Sequence, residues 1–331
     1  MSGELRLGMI GAGWIADSHL ESVAALDGVA VTAVADLDLD RARRVAGAAS
    51  ATAYDDWEAM LYGEKLDAIL VCTPPMAHRD PCVAAVERGL GVYLEKPIAR
   101  SRPDADAIRD AVMGSNAVVA VGYQYRAIDF LPALVEGVER DPLGLLASYS
   151  VGATAGRPWF VHQAEGGGQI LERASHHIDL QRAIAGEVDW VQAAGARVDL
   201  AGDERPADSD IDDVLTLTLG FESGALGTVL VAWTRRGLPS IYTLDLVSAQ
   251  GEVHVDLDPA FKATGVREGT EVSLCSQSPP IRRGLELFLD AVRSGDPTLV
   301  ACDVEAAAGT LDVALACERA LTDGGKVPVR A

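Results

Sequence analysis

Leu5-Arg6-Leu7-Gly8-Met9-Ile10-Gly11-Ala12-Gly13-Trp14-Ile15-Ala16 decides how the first third of the chain folds. Residues 5–10 are an apolar run of strand length, and residues 14–26 read as a helix. Between them Gly11 permits a tight turn. Gly13 lets the backbone approach a pyrophosphate with no Cβ in the way. Ala16 is small enough for the helix to pack closely on the strand. An anion at such a turn meets free N–H groups and the positive end of the helix dipole. Alone, the pattern is equally that of any tight turn, so its surroundings matter. Residues 29–35 read as the next strand, and Asp36 follows Ala16 by twenty residues, where a carboxylate bonds ribose hydroxyls. A carboxylate there repels a 2′-phosphate and so favours NAD over NADP. Arg41 and Arg43 are the nearest cations. Gly11, Gly13, Trp14, Ile15, Ala16 and Asp36 are the expected cofactor contacts.

Outward from this unit, strands at 66–72, 91–94 and 117–121 alternate with helices at 39–49, 81–89 and 102–115. Alternation of this kind means βαβ units and a parallel sheet. Its Val, Ile, Leu and Ala content suits strands buried on both faces. Past residue 122 the pattern changes. A helix at 130–140 leads into strands at 145–152, 188–200, 214–221, 225–233, 241–248 and 251–256, with turns such as Glu222-Ser223-Gly224 between them. Strand following strand predicts mostly antiparallel pairing and an α+β half. Residues 202–213 are acidic, contain Pro206 and read as a solvated loop. Helices at 284–294 and 304–321 close the chain. The expected fold class is α/β: a doubly wound parallel sheet over 1–122, then an α+β domain over 123–331.

Composition narrows the function. Lys and Arg number 28 against 49 Asp and Glu, a formal charge of −21. A phosphate backbone or an anionic membrane is bound by basic patches, so neither is an expected partner. No apolar run reaches the roughly 18 residues of a membrane helix. No secretory leader pattern stands at residues 1–10. The five cysteines are scattered with no Cys-x-x-Cys pair, so no metal is expected, and reduced thiols in a cytoplasm are.

Three further segments carry chemistry. Thr73-Pro74 closes the strand at 66–72, at the carboxyl edge where ligands bind such a sheet. His78, just beyond, is equally a helix-start histidine or a cofactor contact. Glu95-Lys96-Pro97 follows the strand at 91–94; Lys96 is placed to face a ligand, or the segment is simply a turn. Gly166-Gly167-Gly168 precedes a helix in which Glu172 and His176 stand four apart, on one face. A carboxylate beside an imidazole can set its tautomer and raise its basicity. Alone, His176 is as readily a structural histidine.

These segments occur together and in order, with Gly122-Tyr123-x-Tyr125-Arg126 between the second and third. The set resembles the glucose–fructose oxidoreductase / inositol 2-dehydrogenase / rhizopine catabolism (Gfo/Idh/MocA) family over nearly the whole chain. The resemblance implies an NAD-binding Rossmann domain (1–122) and a substrate-binding domain (123–331) whose large open sheet builds a homodimer or homotetramer. It implies hydride transfer between a nicotinamide and a secondary alcohol or ketone of a sugar, inositol or related polyol. Lys96, His176 and Glu172 fall on the catalytic positions. Glu172 stands where many members carry Asp, one methylene shorter, and Ala174 where many carry Gly. Thr73, Pro74, His78, Glu95 and Lys96 join the expected cofactor contacts. Tyr125, Arg126, Arg157 and Trp159, with Glu172 and His176, are the candidate substrate contacts. Two relatives of other kinds stay in view: enzymes that recycle NAD while cleaving a glycoside by transient oxidation, and non-catalytic NAD- or sugar-sensing regulators. Binding alone has no need of an acid/base pair such as Lys96 and His176.

Overall fold

Strand β1 (Leu5–Ile10) is buried almost throughout and leads through the glycine turn into helix α1 (Trp14–Ala24). The computed structural model describes residues 4–153, 158–198, 200, 206–235 and 237–330. The alternation continues through β2 (Val29–Ala35), α2 (Leu39–Ala49), β3 (Thr52–Tyr54), α3 (Trp57–Gly63) and β4 (Ala68–Val71). It then runs through α4 (Arg79–Glu87), β5 (Gly91–Leu94), α5 (Arg102–Met113) and β6 (Val119–Val121). All six strands are parallel, in the order β3-β2-β1-β4-β5-β6. This is the doubly wound order, and its direction reverses between β1 and β4. The crevice outside the carboxyl ends of those strands is where such sheets bind ligands. β4, β5 and β6 are buried at every position, as their apolar runs predict.

The second half opens with α6 (Leu131–Arg140), β7 (Leu143–Ala153), α7 (Gln163–Gly166), α8 (Ser175–Ala185) and β8 (Val188–Ala196). β9 (Val214–Phe221), β10 (Leu226–Thr234), β11 (Ile241–Ser248), β12 (Gly251–Asp258), β13 (Lys262–Arg267) and β14 (Thr270–Cys275) follow. Helices α9 (Pro280–Ser294) and α10 (Val304–Asp323) and the short β15 (Val327–Pro328) end the chain. A nine-stranded sheet runs β14-β13-β12-β11-β7-β10-β9-β8-β15. Its pairs are antiparallel except β7 with β10, which are parallel. Burial alternates along β7 and β12, one face packed and one open. Helix α8 packs on β7 and β10, and α6 packs on α8.

By its contacts the chain divides into two compact units, residues 1–127 with 280–308 and residues 128–279 with 309–331. This differs from a single cut between 122 and 123, and packing gives the reason. Leu285, Phe288 and Leu289 of α9 lie fully buried in the same core cluster as Leu5, Leu7 and Met9. Burying each such side chain is worth roughly 1.5–3 kcal/mol, which holds α9 to the first sheet across the sequence gap. The last of the three divisions falls within α10, between Ala308 and Gly309.

Candidate functional site

The turn after β1 has little freedom. Gly11 has φ +94°, and a Cβ there would lie 2.7 Å from the Cys72 backbone carbonyl. Its N–H donates to the Ala35 carbonyl at 2.8 Å, and the buried Ala12 N–H donates to Asp36 Oδ2 at 2.8 Å. Gly13 is the N-cap of α1 and brings no side-chain cap. An added Cβ at Gly13 would meet nothing within 4 Å, so the space there is open. The first N–H groups of α1 and the dipole behind them thus face a place that can hold an anion. Ala16 is fully buried, as close helix-on-strand packing demands, while Ile15 packs against the core and Trp14 is exposed. These features fit the pyrophosphate of a dinucleotide.

Asp36 follows the last residue of β2. Besides Ala12 N–H it accepts Asp38 N–H on Oδ1 at 2.9 Å, and Arg41 Nη2 stands 3.4 Å from the same oxygen. Arg41 also reaches Asp38 Oδ2 at 3.2 Å. Asp38 caps α2, and the Arg41 backbone N–H, ahead of the Asp40 N–H and the Arg41 charge, holds its carboxyl below the usual range. The end of β2 therefore carries both the carboxylate expected there and a cation folded against it.

Thr73 and Pro74 leave β4 into a 3-10 turn over Pro75–Ala77, and the Thr73 hydroxyl donates to the Ala77 carbonyl at 3.3 Å. His78 is wholly buried. Its Nδ1 lies 2.9 Å from the Pro97 carbonyl and its Nε2 2.9 Å from the Thr73 carbonyl. Burial lowers its pKa, against the pull of those carbonyls and of Glu95. The ring ties the loop after β4 to the loop after β5. Both ring nitrogens face protein oxygens, so the contact the structure shows for His78 is this tie between the two loops.

Glu95 continues β5, its N–H donating to the Val71 carbonyl at 2.9 Å, and its side chain is nearly buried. Oε1 accepts from His19 Nε2 at 2.7 Å and Oε2 accepts the Lys96 N–H at 3.1 Å. Burial pushes its pKa up, but the His19 hydrogen bond and the pull of His19 and Lys96 outweigh this and hold it below the usual range. Lys96 is half-buried, and its peptide bond to Pro97 is cis. Tyr125, buried, and Arg126, half-buried, lie in a 3-10 turn over Gln124–Ala127. His19 went unread in the sequence. Its only signal was a polar residue on the buried face of α1, in line with Ala16 and Val23.

In the second unit the glycine triplet is tightly built. A Cβ at Gly166 would stand 2.6 Å from the Trp159 carbonyl, and Gly167 and Gly168 have φ +72° and +56°. The helix that follows is not α at its start. Ile170–Ala174 forms a π-helix, and α8 begins at Ser175. A π turn closes i→i+5 bonds, so the α-helical spacing that put Glu172 and His176 on one face holds only from Ser175 onward. Both side chains are half-buried. Arg173 donates to the Ala153 carbonyl at 2.6 Å and the Ala232 carbonyl at 3.4 Å, tying the π segment to β7 and β10. His177 is fully buried; burial, then the Arg173 charge, drives its pKa down to about 3. Asp179 is fully buried and accepts from the Thr310 hydroxyl at 2.8 Å. Trp159 packs edge-on to Phe160, and Phe160 edge-on to Trp233, at 6.4 and 6.3 Å between centroids. Arg157 lies outside the described residues.

Known proteins share this architecture. A family model described as an oxidoreductase family with an NAD-binding Rossmann fold matches residues 5–123. The model of the same family's C-terminal domain matches residues 141–251. A levoglucosan dehydrogenase of Pseudarthrobacter phenanthrenivorans is 25% identical over 75% of this chain and 73% of its own length. A myo-inositol 2-dehydrogenase of Thermotoga maritima is 26% identical over 87% of this chain and 84% of its own. A solved levoglucosan dehydrogenase, in complex with NADH and L-sorbose, has a TM-score of 0.87 at 18% identity, covering 99% of both chains, a likeness of fold. With the models of both its domains matched in order along the chain, the chain belongs to the Gfo/Idh/MocA oxidoreductase family.

Proposed function

We propose that this chain is an NAD(H)-dependent oxidoreductase that moves a hydride between the nicotinamide and a secondary alcohol or ketone of a sugar, inositol or related polyol. The observation that carries this reading is the open, side-chain-free N-terminus of α1 at Gly13, with Asp36 tied to the neighbouring Ala12 N–H. Relatives that act on levoglucosan and myo-inositol support the substrate class. Asp36 favours NAD by repelling a 2′-phosphate.

When bound, NAD⁺ supplies the acceptor for the hydride that leaves the carbinol carbon with its electron pair. The hydroxyl proton must leave as the C=O forms. Lys96 and His176 are the groups proposed to handle it, with Lys96 also stabilising the alkoxide by its charge. Glu172 is proposed to orient His176 or to bond a neighbouring hydroxyl. Tyr125, Arg126, Arg157 and Trp159 are proposed substrate contacts. In the reverse direction the same groups return the proton to the forming alkoxide. Lys96→Met and His176→Ala, made separately, are each expected to lower kcat by about 10²–10⁴-fold while NADH still binds by fluorescence titration. Undiminished turnover in either variant removes that residue from the mechanism.

The open face of the nine-stranded sheet is proposed as the oligomer contact. Register places Leu145 between Leu226 and Val247, and Tyr149 between Leu230 and Thr243. Leu145, Tyr149, Leu226 and Val247 are all exposed, an apolar stripe of the kind that marks an interface. A cytoplasmic setting is proposed from the free cysteines, of which Cys72, Cys82, Cys302 and Cys317 are buried thiols. Among the described residues no helix is long and apolar enough to cross a membrane.

A further inference from the structure

Glu95 and His19 form a buried pair that the proposed chemistry does not use. Side chains alternate along β5, so Tyr93 and Glu95 face the same side. His19, on the buried face of α1, meets both. Its ring lies edge-on to Tyr93 at 5.2 Å between centroids, and Nε2 reaches Glu95 Oε1 at 2.7 Å. An ionised carboxylate only accepts, so Nε2 carries the proton. Among the described residues His19 Nδ1 has no hydrogen-bond partner, which leaves the Glu95 contact as the polar tie of the ring. The other oxygen of Glu95 accepts the Lys96 backbone N–H at 3.1 Å. Gly122 also borders the carboxylate: a Cβ there would stand 3.2 Å from Oε1 and 3.4 Å from Oε2. The carboxylate is thus confined, with one oxygen on α1 and the other on the residue that follows it.

We propose that His19 is a positioning residue for Lys96, acting through Glu95; the inference rests on Lys96 being the proton-handling group of the proposed reaction. Stability alone does not ask for this pair, since a buried ionic contact is commonly replaced by apolar packing at little or no loss. Placement does ask for it. The helix whose N-terminus faces the dinucleotide also carries, farther along, the ring that fixes Glu95. One rigid element therefore sets both the cofactor cradle and the backbone position of Lys96. A displacement of about 1 Å at a reacting group can cost on the order of 10²-fold in rate.

The test compares His19→Phe, which keeps a ring but loses the donor, with His19→Gln, which keeps an N–H. Two readouts are taken: kcat and the NADH dissociation constant, and the ¹³C resonance of reductively methylated Lys96. The chain has four lysines, Lys65, Lys96, Lys262 and Lys326, so Lys96→Arg assigns the signal. His19→Phe is expected to lower kcat by about 10–100-fold with NADH affinity within about threefold, and to move the Lys96 resonance. His19→Gln is expected to restore most of both. Glu95→Gln provides a second route should His19→Phe not fold, and the double variant with His19→Gln should be far from additive. An unmoved Lys96 resonance in both His19→Phe and Glu95→Gln overturns the proposal. So does a parallel loss of kcat and NADH affinity that His19→Gln fails to relieve, because packing alone then explains the residue. Turnover surviving Lys96→Met would instead remove the functional reading, and the resonance would still report whether His19 places Lys96.

Discussion

At the scale of single residues, the proposed dinucleotide site rests on Gly11 and Asp36. Gly11→Ala forces a Cβ to within 2.7 Å of the Cys72 backbone at φ +94°. It is expected to cost about 1–3 kcal/mol of stability in urea unfolding and to abolish NADH binding. An alanine variant that binds NADH normally would show that the turn tolerates more than its geometry allows. Arg41 bears on cofactor choice. Its guanidinium lies 3.4 Å from Asp36 and 3.2 Å from Asp38, and more than half of its side chain is exposed. A cation so placed can turn toward a 2′-phosphate. Arg41→Ala is therefore expected to raise the NAD-over-NADP ratio of kcat/KM by roughly threefold to tenfold. An unchanged ratio would show that the Arg41 guanidinium serves only to pair with Asp36 and Asp38. Gly11 and Asp36 were legible in the sequence because one strand–helix–strand unit carries them at a recognisable spacing. His19 and the burial of His78 were not, because each depends on a partner in the segment after β5 that no spacing rule links to it: Glu95 for one, Pro97 for the other.

At the scale of elements, regular segments were read well and irregular ones poorly. Helix α2 and strands β1, β2, β5, β9 and β11 occur with the bounds their patterns predict. β3 was missed as a three-residue, mostly half-exposed strand, and α3 as a seven-residue helix. β13 and β14 were missed because mixed polar residues and Gly265 break the alternation. Their hairpin turn, Glu268-Gly269 with φ +50° and +72°, was the available signal. The π segment before α8 was invisible, since an α-periodic pattern also fits it. Its neighbour His177 has a measurable consequence. With its pKa lowered from 6.5 to about 3, the folded state keeps this imidazole neutral while the unfolded chain takes up a proton. The unfolded state binds more protons between those values, so this residue removes stability as pH falls from 6.5 toward 3. By about pH 5 the loss is on the order of 2 kcal/mol. His177→Gln should narrow the difference in unfolding free energy between about pH 7 and about pH 5 by a similar amount. An unchanged pH dependence would contradict the neutral, buried state of His177.

At the scale of the whole molecule, the order of strands and helices was legible but the division into units was not. Apolar periodicity marks α9 as a helix without saying which sheet receives it. The answer lies in Phe288 packing edge-on against Tyr93 at 5.6 Å between centroids. The open sheet face leads to a prediction of its own. Tyr149→Glu, on the apolar stripe of a chain carrying a charge of −21, should leave a monomer in sedimentation velocity where the unaltered protein is expected to sediment as a dimer or tetramer. Equal masses for the two would remove this face as an oligomer contact. The central claim is the redox activity itself. It is tested most directly by giving the purified protein NAD⁺ with a panel of inositols, aldoses and anhydro-sugars and following NADH absorbance, beside Lys96→Met. NADH should form with at least one of these substrates and fail to form with the variant. No NADH formation from any polyol, with no NADH consumption on the corresponding ketones, would contradict the assignment.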